Sequence, residues 1–361
     1  MITSSFNNIL IKGIASAVPT KKLINKDYSP LFGEETVTKL ISSTGVQESF
    51  HVHEKQTASD LAFAAAKHLL DTKKIDLESI GILVFIGTYT DYIVPATAFV
   101  LQKRLGLSTN CIVYDINLAC SSIIYGMHTV SSLLTCSSAE RALLLVGDTT
   151  SKTISESDTS RLLFGDGGAA ILLEKSTDVA PIINFGVKSD GARFKAIIIP
   201  GGGFRNPELT KDPVKWADGN IRSDYNLYMN GTDVFSFTMT DVPALFKEFM
   251  DHFNVTNDDF DALVMHQPNQ FILKHLAKKI KVPWDKVPIS LDRYGNTSGA
   301  SIPMTLCDAY GNESGKRHKL MASGFGVGLS WGVATFEIDT DDILPIIHTD
   351  DYYNDGGVSH D

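Results

Sequence analysis

Short, nearly continuous apolar runs recur along the chain at residues 9–16, 80–86, 111–116, 141–147, 168–173, 182–187, 262–265 and 317–325. Between them, apolar residues fall at helical spacing over 57–70, 96–106, 120–135, 233–253, 269–280 and 301–310. Thr57 with Asp60 three residues on, just ahead of Leu-Ala-Phe-Ala-Ala-Ala, predicts a helix start. Strands that are apolar throughout must be covered on both faces, so the alternation predicts an α/β architecture with buried sheets. The pattern also echoes itself. Ile80-Gly-Ile-Leu-Val-Phe runs into a loop and a helix ending Gln-Lys-Arg-Leu-Gly-Leu, and Phe260-Asp-Ala-Leu-Val-Met runs into a helix ending Ala-Lys-Lys-Ile-Lys-Val. The offset, roughly half the chain, points to two similar halves.

Two stretches lack a period. Residues 188–230, with Pro-Gly-Gly-Gly at 200–203, read as a long lid or binding loop. From residue 340 the chain is rich in aspartate and reads as a solvated acidic tail. The organisation expected is therefore 1–175 and 176–339 as the two halves and 340–361 as the tail.

Composition narrows the function classes. With 43% apolar and 20% charged residues the chain suits a folded soluble domain, and no apolar run reaches the roughly 18 residues of a membrane helix. No basic, apolar and small-residue leader opens the chain, which suggests a cytoplasmic protein. The net charge of −10 argues against nucleic acid as a partner. The four cysteines, Cys111, Cys120, Cys136 and Cys307, form no C-x-x-C pair and read as free thiols. Cys111, Cys136 and Cys307 are expected to be small core residues. His51 and His53 lack a third ligand, so no metal site is expected.

Cys120 differs from the other cysteines. It ends Asp115-Ile-Asn-Leu-Ala-Cys, where an apolar run meets a helical one. A helix N-terminus or a nearby imidazole lowers a thiol's pKa, so Cys120 is expected to be an activated nucleophile. His266 in His-Gln-Pro-Asn and Asn296 in Tyr-Gly-Asn-Thr-Ser-Gly-Ala-Ser add an imidazole and an amide. A cysteine followed at long range by histidine and asparagine also describes papain-like proteases, but the Cys-Gly-Ser-Cys-Trp context of those enzymes is missing.

Five stretches in order resemble β-ketoacyl-acyl-carrier-protein synthase III, a condensing enzyme of the thiolase superfamily. They are Asp115–Cys120, Leu163-Phe-Gly-Asp-Gly-Gly168, His266-Gln-Pro-Asn269, Gly295–Pro303 and Gly324–Gly332, within a similarity that spans about residues 8–338. The resemblance implies the thiolase-like five-layered αβαβα fold, a homodimer, and no bound cofactor, with CoA or phosphopantetheine thioesters as substrates. By the same resemblance, Cys120 would carry a starter acyl group from an acyl-CoA or acyl carrier protein. His266 and Asn296 would stabilise the enolate left when malonyl-acyl carrier protein loses CO2. Backbone N–H groups of Cys120 and Val327 would form the oxyanion hole, with Phe325 and Gly326 beside the nucleophile. Val94 would line the acyl tunnel across the dimer interface. Lys274, Lys278 and Lys279, with Lys281, would dock the carrier protein.

Some positions depart from the family. Lys39, Ser43 and Asp158 stand where CoA-using relatives carry adenine-stacking or phosphate-binding residues, and Phe271 stands where a docking arginine is usual. Arg161, three residues beyond Asp158, is the candidate replacement. Two further readings remain at this point: an acyltransferase passing the group from Cys120 to an oxygen, nitrogen or sulfur acceptor, and a non-catalytic partner subunit.

Overall fold

The computed structural model describes residues 1–206 and 209–357. Two mixed sheets organise the chain. The first has the order Ile347–His348, Ile9–Val18, Gly167–Lys175, Arg141–Asp148, Ile80–Ile86 and Ile112–Ile116. The second has the order Ile2–Phe6, Ile183–Ser189, Ser330–Asp339, Arg317–Gly326 and Ala262–Met265. The first strand of the chain thus completes the second sheet, through antiparallel pairing of Ile2–Phe6 with Ile183–Val187.

Helices Ser122–Cys136 and Ser301–Tyr310 lie between the sheets and touch both of them. The first is close-packed on each side. A Cβ on Gly126 would collide with Ile86 and Leu144 of the first sheet, and one on Gly332 of the second sheet would collide with Ile124 of the helix. Helix Ala58–Lys73 covers the outer face of the first sheet, and helices Gly231–Phe253 and Gln270–Ile280 cover the second. The layers are α, β, α, β and α, the thiolase-like arrangement.

Local chemistry sets the helix starts. Thr57 and Asp60 form the expected reciprocal cap of helix Ala58–Lys73. Asn269 caps helix Gln270–Ile280 through its side chain, and Asp115 accepts the N–H groups of Thr97 (2.6 Å) and Ala98 (2.7 Å) at the start of Thr97–Leu105. The expected strands and helices are all present, with ends shifted by a few residues.

Three sequence expectations are corrected. Strand Ser330–Asp339 was not foreseen, because its run Ser-Trp-Gly-Val-Ala-Thr-Phe-Glu-Ile-Asp mixes small and polar residues into a buried strand. Cys136 is exposed rather than core; Cys307 is buried and Cys111 only half-buried. The stretch after 340 is not a solvated tail as far as it is described; Asp361 lies outside the described residues. Asp342 is buried and paired with Lys12 (3.1 Å) and Lys73 (2.5 Å). Ile343 and Leu344 enter the core, and Ile347–His348 adds a parallel edge to Ile9–Val18. Asp350 then accepts from Thr20, and Tyr353 donates its N–H to Asp60 (2.9 Å). The aspartates mislead because they sit among apolar residues that need cover.

This segment has a measurable share in stability. Ile343→Ala is expected to lose about 3 kcal/mol, a buried isoleucine's worth, read as a lower urea midpoint with an unchanged slope.

Candidate active site

The sheets and the central helix converge at one end on a cavity of about 510 Å3. Cys120, His266 and Asn296 all line it, with Phe325, Gly326 and Val327. Cys120 sits two residues before helix Ser122–Cys136 and is only partly covered, because its side chain faces this cavity. The end of strand Arg317–Gly326 lies directly over it: a Cβ on Gly326 would stand 2.8 Å from Cys120 Sγ, and one on Gly324 would stand 2.9 Å from the Cys120 carbonyl oxygen. Glycine is required at both positions for that approach. The backbone N–H groups of Val327 and of Cys120 itself, and the Ser298 side chain, act on the sulfur to lower its pKa. Ser330 donates to the Val327 carbonyl (2.7 Å) and meets Ser121 (2.7 Å), which fixes the loop against the nucleophile's neighbour.

Asn296 is held at both ends of its backbone: its N–H donates to Leu163 O (2.8 Å) and its carbonyl accepts from Gly165 (3.1 Å). Its Oδ1 accepts the Ser298 N–H (2.9 Å), so its NH2 group is the end left for the cavity. His266 follows strand Ala262–Met265, is 2% exposed, and places Phe325 edge-on to its ring at 5.5 Å. Its Nδ1 lies 2.8 Å from Ser301 Oγ, which is also 2.8 Å from the Ser298 carbonyl. The single Ser301 proton decides the tautomer. Given to Nδ1, it leaves Nε2–H as a donor into the cavity; given to Ser298, it leaves Nε2 as an acceptor.

Burial dominates the electrostatics. It holds His266 neutral, with its pKa lowered to about 3. It also pushes the Cys120 thiol up to about 11, with the Asp148 carboxyl adding to the shift and the hydrogen bonds to the sulfur opposing it. The expected lowering of the Cys120 pKa is therefore corrected: the helix start is present, but desolvation outweighs it. Asp148, fully buried, accepts from Thr88 N–H (3.1 Å), Thr88 Oγ1 (2.6 Å) and Gly299 N–H (3.1 Å), and burial raises its own pKa.

Other expected site residues fall elsewhere. Val94 is 79% exposed on a surface loop and does not reach the cavity within one chain. Arg161 does not line the cavity either, nor does any residue of its helical turn, Thr159–Leu162; Leu163, just past it, does. Lys274, Lys278 and Lys279 lie on helix Gln270–Ile280 behind the cavity wall formed by Phe271 and Ile272. Lys281 is past the helix, in a left-handed cap. Lys279 is tied to the Met239 carbonyl and Lys274 lies over the Trp284 ring.

The apolar wall was largely missed. Ile197, Ile198, Leu227 and Met229 line the cavity from the stretch read as a loop, where Ile197–Ile198 pairs with Tyr228–Met229. Strands of two residues carry no period, although the length of that stretch did mark it as a binding segment. Tyr89 and Thr88, from the loop after Ile80–Ile86, and Phe235, Phe237 and Thr238 complete the lining.

Two outcomes follow. Alkylation of Cys120 by iodoacetamide, mapped by peptide mass, should climb about tenfold per pH unit from 7 to 10 without levelling off. For His266 the folded value of about 3 lies below the ordinary 6.5, so its contribution to stability is complete above pH 6.5 and is lost as pH falls toward 3. Urea unfolding of the protein should therefore weaken by about 1.4 kcal/mol per pH unit more than that of His266→Asn across that window.

Comparison with known proteins agrees with this arrangement. The family described as 3-oxoacyl-[acyl-carrier-protein] synthase III matches residues 114–191, and its C-terminal counterpart matches residues 250–338. A β-ketoacyl-[acyl-carrier-protein] synthase III of Prochlorococcus marinus is 31% identical over 91% of this chain and 97% of its own length. One from Clostridium perfringens is 31% identical over 92% and 99%. The crystal structure of a 3-oxoacyl-(acyl-carrier protein) synthase from Burkholderia xenovorans superposes with a TM-score of 0.89 at 33% identity, covering 96% of this chain and 99% of that one. Sequence relatives along nearly the whole length, and a shared fold, place this chain in the 3-oxoacyl-acyl-carrier-protein synthase III family of thiolase-fold condensing enzymes.

Proposed function

We propose that Cys120 accepts a starter acyl group from a phosphopantetheine thioester and condenses it with a malonyl-acyl carrier protein, releasing CO2 and a β-ketoacyl thioester. The observation that carries this is the opening of Cys120, His266 and Asn296, from three separate elements, onto one cavity whose remaining wall is mostly apolar. In the first step the Cys120 sulfur attacks the donor carbonyl, forming the acyl-sulfur bond and expelling the donor thiol, while the backbone N–H groups of Cys120 and Val327 meet the oxyanion. A thiol held near 11 is a weak nucleophile until deprotonated, so its proton leaves as the sulfur attacks and ends on the expelled donor sulfur, which departs as a thiol.

In the second step the malonyl carboxylate leaves as CO2, and its electron pair passes to the thioester carbonyl as an enolate. Asn296 offers its NH2 group to that oxygen, and neutral His266 offers Nε2–H once Ser301 donates to Nδ1. The enolate carbon then attacks acyl-Cys120, forming the carbon–carbon bond and expelling the sulfur as a thiolate, which takes up one proton from solvent. Neither donor is charged, which suits a dry site where an imidazolium would be costly.

Residues Tyr92, Ile93, Val94, Phe99 and Ile112 expose apolar surface beside Ile112–Ile116, the outer strand of the first sheet. That exposed edge supports a homodimer in which a second copy covers it and brings Val94 toward a cavity.

Intact mass tests the reaction. Incubation with acyl thioesters should add the acyl mass to Cys120, and added malonyl-carrier protein should discharge it as a β-ketoacyl product. Asn296→Ala should acylate normally and slow the discharge by about 100-fold. Cys120→Ser should take no acyl group. Acylation with discharge onto an alcohol or amine, and none onto malonyl-carrier protein, would overturn the condensation.

A further inference from the structure

Asp148 ends strand Arg141–Asp148 fully buried, and the steps assigned to Cys120, His266 and Asn296 do not use it. Donors meet it from two loops. Its Oδ1 accepts the Thr88 N–H (3.1 Å) and hydroxyl (2.6 Å), and its Oδ2 accepts the Gly299 N–H (3.1 Å). Backbone N–H groups can only donate, so the position demands an acceptor at each end of one side chain.

The Gly299 N–H belongs to the trans peptide Ser298–Gly299, whose carbonyl points the opposite way. That carbonyl lies 2.8 Å from Ser301 Oγ, which lies 2.8 Å from His266 Nδ1. On its other side Ser298 donates its own N–H to Asn296 Oδ1 (2.9 Å). One residue therefore orients both the imidazole and the amide. Its backbone is left-handed, with φ at +51°, a conformation that a residue with a side chain holds only where its surroundings fix it. Two things do so. Gly299 is pressed on the start of the central helix, where a Cβ would collide with Ser122 Oγ and stand 3.1 Å from the Ala119 carbonyl oxygen. Asp148 holds the peptide N–H.

We propose, on the reading of Cys120, His266 and Asn296 as a condensing site, that Asp148 is a positioning residue for the decarboxylating step, anchoring the Ser298–Gly299 peptide and through it the Asn296 amide and the His266 ring. The acyl-transfer step relies on backbone N–H groups of Cys120 and Val327, which lie outside this turn, and so does not need the anchor. The Asp148 carboxyl also raises the Cys120 pKa, so its loss acts on the two steps in opposite senses.

Asp148→Asn tests this, because its one amide oxygen must abandon either Thr88 or Gly299. By intact mass, Cys120 should acylate at least as fast as in the unaltered protein, and iodoacetamide should alkylate it several-fold faster at pH 8. Discharge of the acyl group onto malonyl-carrier protein should slow about tenfold or more, in kcat rather than KM. Ser301→Ala cuts the same line at its far end, so the double variant should discharge little more slowly than the slower single one. Discharge unchanged in Asp148→Asn, acylation slowed as much as discharge, or losses that multiply in the double variant would each overturn the positioning role. Should Asp148→Asn fail to fold, Ser301→Ala carries the test: normal discharge overturns the line from Ser298 to His266, and slowed discharge with normal acylation supports it. No acylation of the unaltered protein by any donor would instead remove the function proposed for Cys120.

Discussion

The site depends on one packing constraint: helix Ser122–Cys136 is held between two sheets with no room to spare. Gly126 lets it settle on Ile86 and Leu144, and Gly332 lets the other sheet settle on Ile124. Once the helix axis is fixed from both sides, the residues just ahead of it are fixed too. Cys120 is therefore positioned by the core rather than by its own loop. The strands that trap the helix also deliver the rest of the site, because Arg317–Gly326 leads to Val327 and Ala262–Met265 leads to His266. Close packing of this kind resists gradual adjustment, and an added methyl at Gly326 would collide with the nucleophile itself.

Such burial has an electrostatic consequence that shapes the chemistry. Desolvation disfavours every charge at the floor of the cavity, so the thiol rests protonated and the imidazole rests neutral. A resting thiolate–imidazolium pair would activate the sulfur at the cost of hydrolysis-prone reactivity toward stray electrophiles. The arrangement here keeps donors that are neutral and preplaced, aimed at charge that exists only during reaction. The Ser301 hydroxyl is the small part on which this turns, because it sets which nitrogen of His266 faces the substrate.

Much of this was legible in the sequence, and for identifiable reasons. Cys120, His266 and Asn296 each sit at the end of an element with a strong period, inside motifs whose small residues permit close backbone approach. The fold class followed from strands apolar on both faces. What failed did so where local signals compete. Ser330–Asp339 has small and polar residues because its neighbours are too close for larger ones, so it lacks a strand's usual composition. The aspartates after 340 outweighed Ile343 and Leu344 in a reading based on charge, although the buried one among the described residues, Asp342, is met by Lys12 and Lys73. The thiol's pKa was misjudged because helix position is visible in sequence and depth of burial is not.

The rim of the cavity is ordered by different means from its floor. The reacting groups are constrained by the core, so changes there would cost both packing and catalysis. The rim is built from the loop segments 158–163 and 214–229, joined through Arg222. A buried arginine that bridges two carboxylates and stacks on two rings orders those segments. Its partners, Asp218 at 2.5 Å and Asp158 at 3.0 Å, make Arg222 a structural staple between these loops, a role separate from the chemistry at Cys120.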